Sequence, residues 1–353
     1  MKKCYINGAS CISAQKTFDA DFLEHAVVND NENVLTVQEP DYKEFISPSA
    51  GRRMAKGVKN GIAASSRALA EAGIETPEGI ITGTGMGCSI DSEKFLTAVL
   101  DNKEQFLTPT SFIQSTHNTV AAQIALGLQC RSYNFTYVNG AVSFESSLID
   151  GLLQIQEGEA ANILTGCVEE TAQSTVNFLK LNGVIKPDGE APYTVLNSES
   201  KGIVMSEGAA FFVLSDTQSQ STYAELKDVS IYNVLTKNEV AEKLLFFLQQ
   251  NNLTITDVDA VVLGYNGDAA YDGYYAPIAE LLPDAAQLYY KHLSGEFNTA
   301  SSFGLWAAAK ILKTQQVPQV VKANTVSKNS YSHILLYNQY EGRDHSFILL
   351  SKC

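Results

Sequence analysis

The sequence predicts a mixed α/β protein made of two similar halves, with helices between and outside layers of sheet. Three observations carry this reading. Segments with apolar residues near a 3.6-residue period alternate with short, continuous β-branched runs. A helix–loop–strand–glycine phrase occurs twice. Of 353 residues, 45% are hydrophobic and 18% charged, which supplies a large core and excludes global disorder. Strands alternating with helices stack as α/β layers.

The chain opens MKKCYINGASCIS. Its two lysines lead into no long apolar run and no small-residue cleavage site. The opening therefore reads as a first strand over Cys4–Ile6 that turns at Gly8, not as a signal peptide. SSRALAEAGIETPEGIITGTGMG (Ser65–Gly87) is an amphipathic helix, a loop with acids and threonine, a buried strand and a glycine loop. TVAAQIALGLQC (Thr119–Cys130) is a helix whose small residues allow close packing, so it is expected at the centre. NFTYVNGAVSFESSLIDG (Asn134–Gly151) is a strand, a Gly-containing turn and an amphipathic helix. Strands at Asn162–Glu170 and Ala209–Asp216 close the first half.

The second half repeats the order. EKLLFFLQQNNLTITDVDAVVLGYNG (Glu242–Gly267) matches the phrase at Ser65, and TASSFGLWAAAKIL (Thr299–Leu312) is a second small-residue helix. Strands at His333–Tyr340 and His345–Lys352 end it. No Pro- or Ser-rich linker separates the halves, and the repetition suggests duplication.

Composition removes several function classes. A formal charge of −14 disfavours general nucleic-acid binding, which needs clustered Lys and Arg. No apolar run reaches the ~18 residues of a membrane span. Cys4, Cys11, Cys88, Cys130, Cys167 and Cys353 form no CxxC pair and fit no zinc spacing. They read as free thiols of a cytoplasmic protein. The corner after Asn134 is where α/β enzymes place a nucleophile, because a helix N-terminus stabilises a developing anion. It holds Asn139, Gly140, Ala141, Val142 and Ser143, and no cysteine.

Five segments, in order, resemble the β-ketoacyl-[acyl-carrier-protein] synthases, condensing enzymes of the thiolase fold. They are GIITGTGMG, PTSFIQSTHNTVAAQIALGL, EGEAANILTGCVEE, KGIVMSEGAAFFVLSD and KTQQVPQVVKANT. The resemblance implies a thiolase-like fold of two duplicated βαβαβαββ halves, residues 1–217 and 218–353, forming a five-layered αβαβα core, and an obligate dimer. The chain looks shorter than usual members between Gly208 and Tyr265. The resemblance implies no bound cofactor, with acyl chains arriving on the phosphopantetheine of an acyl carrier protein.

A condensing enzyme needs a thiolate, two groups that polarise the malonyl thioester, and an oxyanion hole. Counting back from LTGCVEE puts the family's cysteine at Ala141; Ser143 is the hydroxyl within two residues of it. A serine needs an adjacent base to be nucleophilic, and Ser143 also reads as a cap of the following helix. Tyr265 or Asn266 stands where the family has its first histidine, although Asn-Gly is equally a tight turn. In YYKHLSGEF, Lys291 matches the family's lysine and Glu296 falls on its second histidine. A carboxylate there opposes a developing enolate. His292 reads as an exposed neighbour of Lys291, and the family's acid in the next helix falls at Leu305. The gating loop is echoed by Asn338, Tyr340 and Gly342 in LLYNQYEGRDH, without the family's run of glycines.

Arg52, Arg53, Lys56 and Lys59 form a basic stripe, with Arg52, Lys56 and Lys59 expected on one helix face. The resemblance implies a docking site for the acidic carrier protein there; a solvated helix face is the alternative. His117 lies where the family's subunits meet, or is a buried loop histidine. Tyr265, Tyr271, Tyr274, Tyr275 and Phe297 either line a tunnel or pack a core. Three functions remain open. One is a chain-length-factor-type subunit pairing with an active ketosynthase in fatty-acid or polyketide (for example polyene pigment) biosynthesis. The others are a divergent acyltransferase or malonyl decarboxylase, and a homodimeric acyl-binding protein.

Overall fold

Strand order repeats itself across the molecule. The computed structural model describes residues 1–19 and 22–353. Its first half runs β1 (Tyr5–Ile12), α1 (Pro48–Gly51), α2 (Lys56–Ala72), β2 (Gly79–Gly83), α3 (Ser89–Asp101), α4 (Pro109–Ser115), α5 (Thr119–Leu128), β3 (Tyr133–Tyr137), α6 (Ser143–Glu157), β4 (Asn162–Glu169), α7 (Gln173–Leu181) and β5 (Gly208–Ser215). The second runs β6 (Ala224–Asn233), α8 (Lys237–Gln250), β7 (Ala260–Leu263), α9 (Ala276–Leu281), β8 (Ala286–Tyr289), α10 (Lys291–Ser294), α11 (Ser301–Thr314), β9 (His333–Tyr340) and β10 (Asp344–Ser351).

The strands form one ten-stranded sheet ordered β3-β2-β4-β5-β1-β6-β10-β9-β7-β8. Read from its two ends, the order is the same in each half. In each, the second strand pairs parallel with the third and fourth, and the fifth pairs antiparallel with the fourth and first. The halves join through two residue pairs of β1 and β6, Tyr5–Glu225 and Ile6–Ala224.

Alternating strand residues sort into layers. Phe211 and Val213 of β5 pack outward with Val58 and Ala64 of α2 and Val120 of α5. Phe347 and Leu349 of β10 pack outward with Val240 and Leu244 of α8. Between the sheet halves, Phe212, Leu214, Ile348 and Leu350 enclose Phe144 and Leu148 of α6 and Phe303 and Trp306 of α11. The result is the five-layered αβαβα, thiolase-like core. Each fully buried side chain of this size stabilises by about 1.5–3 kcal/mol, so the central layer is the costliest to disturb.

Two sequence expectations are corrected. β1 does not turn at Gly8; after a register shift there it continues pairing to Ile12. Glycine is required because α2 presses on it, and a Cβ would strike the Ala68 carbonyl oxygen. Nor is the Thr119 helix central. One face of α5 packs on α2, but Leu126 on the other is 70% exposed. The partner of α11 in the central layer is α6, which follows β3 as α11 follows β8. Small residues permit close packing without saying on how many sides it occurs.

Candidate functional site

The corner after β3 is a strand, a 3₁₀ turn over Gly140–Val142 and then α6. Ala141, at the position assigned to the nucleophile, is a buried methyl group. Ser143 is the first residue of α6 and is fully buried. Its hydroxyl accepts from the Asn139 amide at 2.8 Å and has the carbonyls of Gly140 (2.8 Å) and Thr84 (3.1 Å) to donate to. It therefore ties the preceding turn together and does not cap the helix amides. No base touches it among the described residues. The glycine loop lies directly against this corner: a Cβ on Gly83 would strike the Ser143 carbonyl.

Opposing loops of the second half converge. Asn266 follows β7, Lys291 opens α10, Glu296 follows it, and Asn338 lies in β9. Glu296 Oε2 accepts from Lys291 Nζ at 2.7 Å and from Asn266 Nδ2 at 2.8 Å. Lys291 also donates to Asn338 Oδ1 at 2.8 Å. The Lys291 and Glu296 side chains are 1% and 3% exposed. Asp272 Oδ1 accepts from the Asn266 amide at 3.3 Å, and burial pushes the Asp272 carboxyl up to about 7. Four residues singled out from three motifs thus form one buried network. Tyr265 stands outside it, with its ring against Tyr275.

The sequence reading passed over Glu145, in the first turn of α6. It is fully buried and accepts from Ser346 Oγ of β10 at 2.9 Å. Burial raises its carboxyl above the usual range, and the Lys291 charge opposes that rise. An acid in a first helical turn is ordinary, and the serines that flank it, Ser143, Ser146 and Ser147, gave no sign of burial. Also passed over were three glutamates that order the surrounding loops. Glu169 accepts from the amides of Gly85 and Met86 and from Thr84 Oγ1, and burial pushes it up to about 7. Glu170 caps two helices at once, through the amides of Gly57 in α2 (2.8 Å) and Ile90 in α3 (3.0 Å). Glu207 accepts from Lys56 at 2.5 Å and from the Thr171 amide at 3.1 Å. In the glycine loop the amides of Gly85 and Met86 are thus committed to Glu169, and that of Gly87 to Thr84 Oγ1.

A cavity of about 490 Å³ adjoins the network. Glu296, Phe297 and Tyr340 form one wall, and α7 forms another through Phe178 and Leu179. Of the aromatic residues considered for a tunnel, Phe297 reaches it, whereas Tyr275 is buried in the outer core. Gly342 sits in the tight turn between β9 and β10, its amide donating to Gln339 Oε1 at 2.8 Å. Leu305 is buried in α11.

The basic stripe does not form. α1 ends at Gly51 with Arg52 as its C-cap, and α2 starts at Lys56, where Ala55 is buried and Glu170 caps Gly57. Arg52 and Arg53 are exposed, with no ion-pair partner among the described residues. Lys56 instead bridges Glu207 and, at 3.7 Å, Glu39, while Lys59 lies over the Tyr42 ring. His292 is buried, not exposed: Nε2 bonds the Val320 carbonyl, the ring stacks on Tyr289, and burial lowers its pKa to about 4. His117 is exposed beside Gly87. Cys167 is buried in β4 and its thiol is pushed up to about 12. Among the described residues, no helix is long and apolar enough to cross a membrane.

Known proteins bear on this arrangement in three ways. The profile of the β-ketoacyl synthase N-terminal domain matches residues 6–220. No curated protein sequence matches the chain. Solved structures match it over its full length. A β-ketoacyl synthase from Burkholderia phymatum STM815 is 15% identical, is covered over 100% of its chain and superposes with a TM-score of 0.82. The ishigamide ketosynthase/chain length factor is 17% identical, 99% covered, with a TM-score of 0.82. AntDE:AntF, a type II polyketide synthase carrier protein in complex with its ketosynthase, is 15% identical, 100% covered, with a TM-score of 0.78. The chain described here belongs to the β-ketoacyl synthase family.

Proposed function

We propose that this chain is a non-condensing subunit that works beside an active ketosynthase, in the manner of a chain-length factor, in making fatty-acid-like or polyketide chains. One observation carries the reading. Asn266 and Glu296, at the positions of the family's two histidines, are bonded to each other, and Glu296 also holds Lys291, which donates in turn to Asn338. An ammonium neutralised in this way is withdrawn from a thioester carbonyl, and the α6 corner offers Ala141 and no thiol to accept an acyl group.

Two surfaces support the partners. β3 pairs with β2 on one side and presents its other edge, with exposed Tyr133 and Phe135, beside exposed Val138 and Leu126. An apolar, unpaired strand edge favours burial against another chain, here a ketosynthase or a second copy. Arg52 and Arg53 offer exposed positive charge to an acidic carrier protein on this acidic molecule.

The test incubates the purified protein with acyl- and malonyl-carrier protein and follows intact mass and released carbon dioxide. The expected result is no adduct and no turnover alone, with activity once an active partner ketosynthase is added. An acyl adduct on Ser143 would replace this reading with an acyltransferase. Chain binding without any effect on a synthase would replace it with a homodimeric acyl-binding protein.

A further inference from the structure

We infer that the cavity beside Glu296 receives an uncharged, apolar chain and turns away ligands carrying a carboxylate, malonyl groups included. The inference rests on the subunit reading above and names what that subunit holds.

The body of the cavity is apolar, with Phe178, Ile203, Met205 and Phe297 among its walls, and its 490 Å³ falls within the roughly 300–1,000 Å³ of small-molecule sites. Its charged lining is all of one sign. Glu93, Glu169, Glu170 and Glu296 border it, and no lysine, arginine or histidine does among the described residues. Each carboxylate is held in place. Glu93 accepts from the Ser174 and Thr175 amides at the start of α7, Glu169 from those of Gly85 and Met86, and Glu170 from those of Gly57 and Ile90. Glu296 is held by Lys291 and Asn266.

The same bonds exclude an anion twice over. They fix like charge at the cavity wall through Glu93, Glu169 and Glu170, with Glu296 neutralised by Lys291, and they use up the amides and the ammonium that could have received a second carboxylate. What the wall still offers is acceptor oxygen, which suits the hydroxyl or amide N–H of a neutral ligand. The apolar walls suit an alkyl or polyene chain.

The test compares two probes of equal length, octanoyl-pantetheine and 7-carboxyheptanoyl-pantetheine, with malonyl-pantetheine as a third, by calorimetric titration of the full chain at pH 8. The expected result is measurable binding of octanoyl-pantetheine, and binding of both carboxylates weaker by about tenfold or more. Met205→Trp, checked for folding by circular dichroism, should fill the cavity and abolish octanoyl binding. Glu93→Gln should narrow the gap between the two eight-carbon probes. Equal affinity for those probes, octanoyl binding unmoved by Met205→Trp, or no octanoyl binding would each overturn the inference. Stimulation of a ketosynthase is measured separately, so the subunit reading can stand where this one fails.

Discussion

Lys291 Nζ lies 2.7 Å from Glu296 Oε2, and both side chains are sealed from solvent. The pair is therefore unscreened, and each member depends on the other for its charge to be tolerated. Removing one partner by Glu296→Gln or Lys291→Met should destabilise the fold by about 3–5 kcal/mol. The double variant Lys291→Met/Glu296→Gln should recover most of that loss. Denaturant unfolding of the four proteins measures it, and additive losses would show that the charges do not depend on each other.

Ser143 makes a second, opposite prediction. Its hydroxyl is spent on backbone partners at Asn139, Gly140 and Thr84. Ser143→Ala should cost about 1 kcal/mol of stability through the lost hydrogen bonds and leave the effect on a partner synthase unchanged. A variant that folded normally yet lost all effect on its partner would return Ser143 to the centre of the chemistry.

Local patterns made the strand–glycine phrases and closing strands legible, because period and β-branching are properties of a few adjacent residues. HILLYNQY is a strand over the span its pattern implies. What each element faces was not legible. The small residues of α5 and α11 look alike, yet α11 is enclosed on all sides and α5 on one. The basic stripe failed for a related reason: Glu170, far along the chain, fixes where α2 begins. At the site, four separate motifs each suggested a lost catalytic group. Only the fold brings Lys291 within reach of Asn338 and Asn266 within reach of Glu296, turning separate losses into one closed network.

Two of the buried carboxyls set a pH dependence. Burial pushes Glu169 and Asp272 up to about 7, above the ~4 of an exposed carboxyl. The folded state then binds protons that the unfolded state has released between these values. Stability contributed by these groups is full below pH ~4 and is lost as pH rises towards 7. Carboxyls held low, such as Glu93 and Asp257, work the other way and lose their contribution only at more acid pH. Melting temperature should therefore fall between about pH 5 and 7, and Glu169→Gln should flatten that slope. An unchanged slope in the variant would mean that Glu169 titrates in the ordinary range.

Arg52 and Lys56 are four residues apart, and the structure gives them different tasks. Arg52 is exposed at the end of α1 with no ion-pair partner among the described residues, whereas Lys56 bridges Glu207 and Glu39 at the start of α2. Glu207 is buried and in turn accepts from the Thr171 amide, so Lys56 neutralises a charge that has no access to water. Reversing Arg52 and Arg53 to Glu should leave the melting temperature nearly unchanged. It should weaken carrier-protein binding and flatten its dependence on salt. Lys56→Gln should do the reverse, lowering stability with little effect on the salt dependence. Fluorescence anisotropy with a labelled acyl carrier protein, at several salt concentrations, separates the two. Equal binding losses from Lys56→Gln and the double arginine reversal would place carrier contact on α2, and would remove the division of labour argued here.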